Sequence, residues 1–121
     1  TFMPQKRSVL DIPIFHKLCS LYKILNSYHG TIPKMQRYTL WQRCENVSLA
    51  LLERVISTSH LKGEERAQAL HEISNNVDLL KVLIRLSKET RTITPKQYLE
   101  VQTLLQEIGK MIGGWLKFVA P

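Results

Sequence analysis

Four segments of this chain repeat apolar residues at intervals of three and four, the spacing that gives an α-helix one buried face. They lie at residues 13–29, 34–59, 64–91 and 95–119, joined by short links. None alternates apolar and polar residues as a half-buried strand would. The pattern predicts an all-α protein, an up-down-up-down four-helix bundle over residues 13–119 that follows an N-terminal tail of residues 1–12.

The ends of these segments carry recognisable signals. Pro13 suits the first turn of a helix, and Gly30 closes that helix. Thr94, Pro95 and Gln97 have the spacing of a capping box, in which side chain and backbone at a helix start bond reciprocally. The second segment shows no Gly or Pro between Lys34 and Ser59, so one continuous helix is expected there. Its expected buried face consists of Tyr38, Trp41, Cys44, Val47, Leu51, Leu52 and Val55.

Length and charge limit what the chain can be. With 121 residues and 44% hydrophobic content it is one domain with a sizeable core. Seventeen Lys and Arg against ten Asp and Glu give a net charge of +7, which favours an acidic or polyanionic partner such as nucleic acid. The alternative is that net charge serves only solubility.

Cysteine use and hydropathy indicate the compartment. Cys19 and Cys44 lack the spacing of a redox or metal motif, so they are expected to be buried thiols in a reducing, cytoplasmic environment. The first residues show no signal peptide, and no apolar run is long enough for a membrane span. We therefore expect no membrane association.

Residue patterns that carry catalysis are not found in the sequence. The four histidines have no ligand spacing with Cys, Asp or Glu, and nothing marks a nucleophile elbow. Gly113 and Gly114 are not followed by the Lys-Ser/Thr of a phosphate-binding loop. We expect a protein that is not an enzyme and that uses neither metal nor cofactor.

The third helical segment has more apolar surface than one core face requires. Lys81, Arg85 and Lys88 fall on one narrow strip of the helix, and apolar side chains cover most of the remaining circumference. The excess indicates a second contact, most simply with another protomer. An ordinary core face that happens to be broad is the alternative.

The last segment contains three glycines, each of which costs roughly 1 kcal/mol against alanine inside a helix. Gly109 and Gly113 are four residues apart and would allow a neighbouring helix, subunit or nucleic-acid backbone to come close. Lys110, Gly114 and Lys117 place positive charge beside them. The alternative is a frayed terminal turn.

The second segment contains a polar block, Gln42, Arg43, Glu45 and Asn46. Such a block either contacts bases and phosphates or forms a hydrogen-bonded layer that fixes the register between helices or subunits. The second interpretation is favoured.

Several of these stretches resemble one family. They are IPIFHK at residues 12–17, IPKMQRYTLWQRCEN at 32–46, LIRL at 83–86, KQY at 96–98 and EIGKMIGGW at 107–115. In this order, over roughly residues 12–118, they resemble the Avd family, the accessory variability determinants of diversity-generating retroelements. No single motif is diagnostic, since each is a helix-packing pattern.

The resemblance implies a four-helix bundle that assembles as a homopentameric barrel and binds the retroelement's reverse transcriptase and template RNA. The family protein is not catalytic; it supports error-prone copying of the template into cDNA. A related group, the bundle proteins encoded in intervening sequences of ribosomal RNA genes, matches less well and stays an alternative, as does an adaptor bundle.

Carried over residue by residue, the resemblance implies polymerase or RNA contact first at Arg37, Arg43, Arg85 and Lys110. The neighbouring candidates are Lys34, Lys81, Lys88 and Lys117, and the expected oligomer contacts are Trp41, Gly109, Gly113 and Trp115. Trp41 stands where relatives often have glycine. Lys110 stands where they often have arginine, which keeps the charge but loses the bidentate fork for phosphate.

Overall fold

Four long helices form most of the protein. The computed structural model describes residues 13–119, with side chains through residue 116, and no strand occurs in that part of the chain. A 3₁₀ turn and a one-turn helix, α2, lie between the first two long helices. The bounds are α1 Pro13–Ser27, 3₁₀ turn His29–Thr31, α2 Lys34–Arg37, α3 Leu40–Thr58, α4 Gly63–Glu89 and α5 Pro95–Val119. The all-α prediction is confirmed; the expected tail, residues 1–12, lies outside the described residues.

The predicted capping box at the start of α5 is present. The backbone N–H of Gln97 donates to Thr94 Oγ1 at 3.1 Å, and the backbone N–H of Thr94 donates to Gln97 Oε1 at 3.0 Å. Pro95 is the first residue of the helix. Backbone donors that would lack partners in the first turn are thus satisfied by two side chains.

The second predicted helix is interrupted, which corrects the expectation of one continuous helix from Lys34 to Ser59. Helix α2 ends at Arg37 and α3 begins at Leu40, with Thr39 at φ −121° and ψ −102° between them. Arg37 donates from Nε to the Ile32 carbonyl at 2.9 Å and from Nη2 to the Gly30 carbonyl at 3.3 Å. The turn itself is closed by Thr39, whose backbone N–H donates to the Gln36 carbonyl at 3.3 Å and whose Oγ1 donates to the Met35 carbonyl at 3.0 Å.

One core fills the space between the four long helices. Helix α1 packs against α3 and α5, and α4 packs against the same two helices. The predicted apolar faces supply this core, because they meet across the interior. Its fully buried members include Leu18, Leu21, Leu25, Trp41, Cys44, Leu51, Leu70, Ile73, Leu80, Ile84, Val101, Leu105 and Ile108.

Helix α4 begins at a residue in the left-handed backbone region, and a second such residue follows its end. Gly63, its first residue, has φ +59°, which glycine adopts without steric cost. Arg91, just after its end, has φ +61°, although such positions favour glycine or asparagine. Two backbone N–H groups, of Thr92 and Ile93, then bond to the Ser87 carbonyl at 2.8 and 3.2 Å, which closes the helix at Glu89 rather than at the expected Arg91.

Candidate nucleic-acid interface

Three cations lie along one side of α4, and we call Lys81, Arg85 and Lys88 the basic strip. Their spacing of four and three residues places them one above another on the helix surface. Arg85 is exposed, and Lys81 and Lys88 are half-buried. The helix buries Leu80 and Ile84 on a different side, so the basic strip stands apart from the core, as its spacing predicts.

The basic strip borders a groove between α4 and α5. One part of this groove is lined by Lys81, Arg85, Tyr98 and Gln102. The next part is lined by Lys81 again, together with the α5 residue Lys110. Helix packing thus brings together three predicted cations, Lys81, Arg85 and Lys110, from two segments distant in the sequence.

The charges along this groove are largely uncompensated. Ion pairs among the described side chains join Lys17 to Glu107, His29 to Glu45 and Arg54 to Glu72, and none includes a residue of the basic strip or Lys110. The Lys88 Nζ instead lies 4.2 Å from the ring centroid of Tyr98, in a cation–π contact. Asp78 lines the far part of the groove and supplies a carboxylate there. Apart from that carboxylate, the groove presents cations that form no ion pair with a described side chain, and such cations suit a polyanion.

Of the three glycines of α5, Gly109 lines this groove. A Cβ atom at Gly109 would lie 3.5 Å from Lys81 Nζ, which is ordinary contact, and one at Gly113 or Gly114 would meet nothing within 4 Å. No helix among the described residues therefore approaches these positions closely. A second molecule would have to supply the close approach that the spacing predicts.

Helix α4 also keeps apolar surface on its outer side. Val82 is 44% exposed and Leu86 is 41% exposed, while Leu79 and Leu83 are partly buried against the core. We call these four residues the outer apolar strip. It agrees with the excess apolar surface inferred from the sequence, although Leu80 and Ile84 belong to the core of the protomer itself.

The two tryptophans occupy different environments. Trp41 is completely buried, and its indole N–H donates to the Leu25 carbonyl at 3.2 Å. Its contacts therefore lie within the protomer, and any influence on an oligomer would be indirect. Trp115 is half-buried near the end of α5, with the Arg66 guanidinium 5.8 Å from its ring centroid.

A second group of predicted cations lies where the α1–α3 link meets α3. Lys34 and Arg43 are exposed, whereas Arg37 uses two of its five N–H donors on the link carbonyls. Pro33, the neighbour of Lys34, lines a cleft together with Lys88 at the end of the basic strip. The α1–α3 link thus approaches the end of the basic strip at Pro33. Lys117 lies outside the residues whose side chains are described.

The polar block of α3 does not form a buried layer within the protomer, because Gln42, Arg43 and Asn46 are all exposed. Two residues that sequence reasoning missed are Tyr38, which was expected in the core and is 67% exposed, and Gln102. The Gln102 Oε1 is buried in the groove without a hydrogen-bond partner among the described residues. No local sequence signal marks either residue.

Reactive groups are few in this structure. Cys19 and Cys44 are free thiols, and burial raises the pKa of Cys44 to about 11, so it stays protonated at neutral pH. Within residues 13–116, no three His, Cys, Asp or Glu side chains are grouped as metal ligands would be. None of the described helices is long and apolar enough to cross a membrane.

The family model described as bAvd-like matches residues 14–119, which is almost all of the described chain. The chain belongs to the bAvd-like family. No curated protein and no solved structure shows significant similarity to it. Membership in the bAvd-like family confirms the resemblance that the sequence motifs indicated.

Proposed function

We propose that this protein is the non-catalytic accessory factor of a diversity-generating retroelement. It binds the retroelement's reverse transcriptase and template RNA in the cytoplasm and supports mutagenic cDNA synthesis. The observation that carries the proposal is the match of the bAvd-like family over residues 14–119. The uncompensated cations along the α4–α5 groove support it independently, because both an RNA and an acidic polymerase surface would be attracted there.

The bundle is proposed to have up-down-up-down topology and to assemble as a homopentamer. Thr31 and Pro33 of the α1–α3 link line one cleft with the α4–α5 link, and Arg66 near the start of α4 meets Trp115 near the end of α5. Both contacts agree with antiparallel neighbours. The outer apolar strip, including the exposed Val82, offers surface for a second copy.

The basic strip would then recur once per protomer around the assembly. Repetition gives several equivalent docking patches, so one polymerase and one folded RNA can engage different copies at the same time. Linked contacts of this kind raise overall affinity without any new contact type. The strength of the complex should fall steeply with salt, because released counterions supply much of the driving force.

The test is co-purification of this protein with the reverse transcriptase encoded nearest to its gene, with mass measured by light scattering. We expect a ring of several subunits that retains the polymerase. Arg85→Glu, Lys110→Glu and Arg37→Glu then map the contact, and Arg54→Glu on another side of the bundle serves as a control for charge. A monomer that ignores the polymerase would contradict the proposal and favour an adaptor bundle.

A location of the gene inside a ribosomal RNA gene would favour the intervening-sequence group instead. Loss of helicity or of assembly in the Arg85 variant would show that Arg85 is structural. Retention of the polymerase by every charge variant would show that the basic strip does not bind the polymerase.

A further inference from the structure

The turn between α2 and α3 presents two large apolar side chains to solvent. Met35 is 82% exposed and Tyr38 is 67% exposed, the largest values among the exposed large hydrophobic residues of the described chain. Both come from one short stretch, and Tyr38 follows Met35 by three residues, so the two side chains share one side of a helical turn. Isolated exposed apolar residues are common, but an adjacent pair forms a small platform.

The platform is held rigidly. Arg37, next to Tyr38, is fixed by its two hydrogen bonds to the link carbonyls, and Thr39 Oγ1 donates to the Met35 carbonyl at 3.0 Å. Three residues beyond Tyr38, Trp41 is fully buried and anchored to the Leu25 carbonyl. A ring displayed on a fixed backbone loses little conformational entropy when it binds a partner.

The charge around the platform is positive. Lys34 precedes Tyr38 by four residues and lies on the same side of the turn, and Arg43 is exposed at the start of α3. The sequence contains no Asp or Glu from residue 12 to residue 44. Pro33, two residues before Met35, lines one cleft with Lys88, and the same cleft contains Glu89.

We propose that Tyr38 stacks on an unpaired base of RNA, while Lys34 and Arg43 bind the flanking phosphates. The inference rests on the proposed function, since it names how the RNA is engaged. Proteins that bind single-stranded nucleic acid combine a basic surface that follows the backbone with exposed aromatic rings that stack on bases. Here the basic strip would follow the backbone and Tyr38 would supply the ring.

A protein partner is the competing occupant, because tyrosine and arginine are also common in the centres of protein interfaces. The charge decides in favour of RNA. Lys34 and Arg43 have no carboxylate partner among the described side chains, and unpaired cations suit a phosphate backbone, whereas a protein surface usually meets charges of both signs.

The experiment measures binding of the full chain to two fluorescently labelled RNAs of equal length by anisotropy. One cannot pair with itself, and the other forms a closed duplex. The variants are Tyr38→Ala, Tyr38→Phe and, as a control for lost apolar surface, Leu99→Ala, whose side chain is 65% exposed on α5. Circular dichroism and light scattering establish that each variant keeps its helicity and assembly.

We expect Tyr38→Ala to bind the unpaired RNA roughly 5- to 150-fold more weakly, the range given by loss of one base–aromatic stack. Tyr38→Phe and Leu99→Ala should stay within about twofold of the wild type, since phenylalanine keeps the ring. Duplex binding should be equal in all four proteins, because a paired base is not available to stack.

Unchanged binding of Tyr38→Ala to the unpaired RNA, in a protein that binds it, overturns this inference and leaves the proposed function standing. Weakened polymerase retention with unchanged RNA affinity also overturns it and assigns the platform to the protein partner. A wild-type chain that binds neither RNA contradicts the RNA half of the proposed function together with this inference.

Discussion

Arg85 offers the sharpest test of the charged groove, because its charge can be removed with little effect on the fold. The side chain is exposed, and no described carboxylate pairs with it. Surface substitutions away from caps, cores and buried networks usually change stability by about 0.5 kcal/mol or less. Arg85→Gln should therefore fold like the wild type and lose one available cation.

The size of the expected effect follows from counterion release. Each cation that neutralises a phosphate of single-stranded nucleic acid contributes about 0.7 to the slope of log affinity against log salt concentration. If Arg85 contacts one phosphate, Arg85→Gln should bind RNA about fourfold more weakly at about 0.15 M salt and about eightfold more weakly at about 0.05 M. Both values are per contact, so repetition of the strip in an oligomer would increase them.

The assay is titration of labelled single-stranded RNA across a series of salt concentrations. Arg54→Gln is the matched control, because it removes the same charge from a residue whose guanidinium already pairs with Glu72 at 2.8 Å. An Arg85→Gln slope equal to that of the wild type would refute the reasoning. So would equal losses in the two variants, since that outcome reflects net charge rather than the groove.

Three further predictions concern the fold. Trp41→Phe should lower the free energy of unfolding by about 1–3 kcal/mol, because the buried indole N–H bond to the Leu25 carbonyl is lost and the smaller ring leaves a cavity; a loss below about 0.5 kcal/mol in urea unfolding would contradict this. Thr94→Ala should lose about 1 kcal/mol and Thr94→Ser much less, measured in the same way, since only the serine keeps the cap; equal losses would show that the cap adds nothing. Burial raises the pKa of Cys44 in the folded protein from 9.0 to about 11. The neutral thiol therefore stabilises the fold fully below about pH 9, and this stabilisation is lost as the pH rises through about 11. Wild-type stability should therefore fall by up to about 3 kcal/mol more than that of Cys44→Ala across this range, and parallel pH profiles would exclude the effect.

The basic strip shows how much of the site could be predicted from the sequence. Lys81, Arg85 and Lys88 share one side of α4 because helical spacing alone places them there. The shared groove of Lys81 and Lys110 depends on how α4 and α5 pack, which the spacing within either helix does not predict. Gln102 entered the site in the same way, from the opposite wall.

The turn at Tyr38 shows where local patterns were insufficient. Residues 34–59 contain no glycine or proline, so the sequence predicted one helix with Tyr38 on its buried face. The burial of Trp41, whose indole N–H donates to the Leu25 carbonyl, and the bonds of Thr39 to the Met35 and Gln36 carbonyls hold a turn there instead. Tertiary contacts outweigh helix propensity here, because propensity differences amount to only about 0.7 kcal/mol per residue.

Sequence patterns alone predict the four long helices, the cap at Thr94, most of the buried faces and the membership of the bAvd-like family. These depend on interactions within a few residues or on patterns that recur in relatives. The exposure of Tyr38 and the groove that cations of α4 and α5 line together appear only in the folded protein. Each of these follows from contacts between segments distant in the chain, which form only when the helices close around their common core.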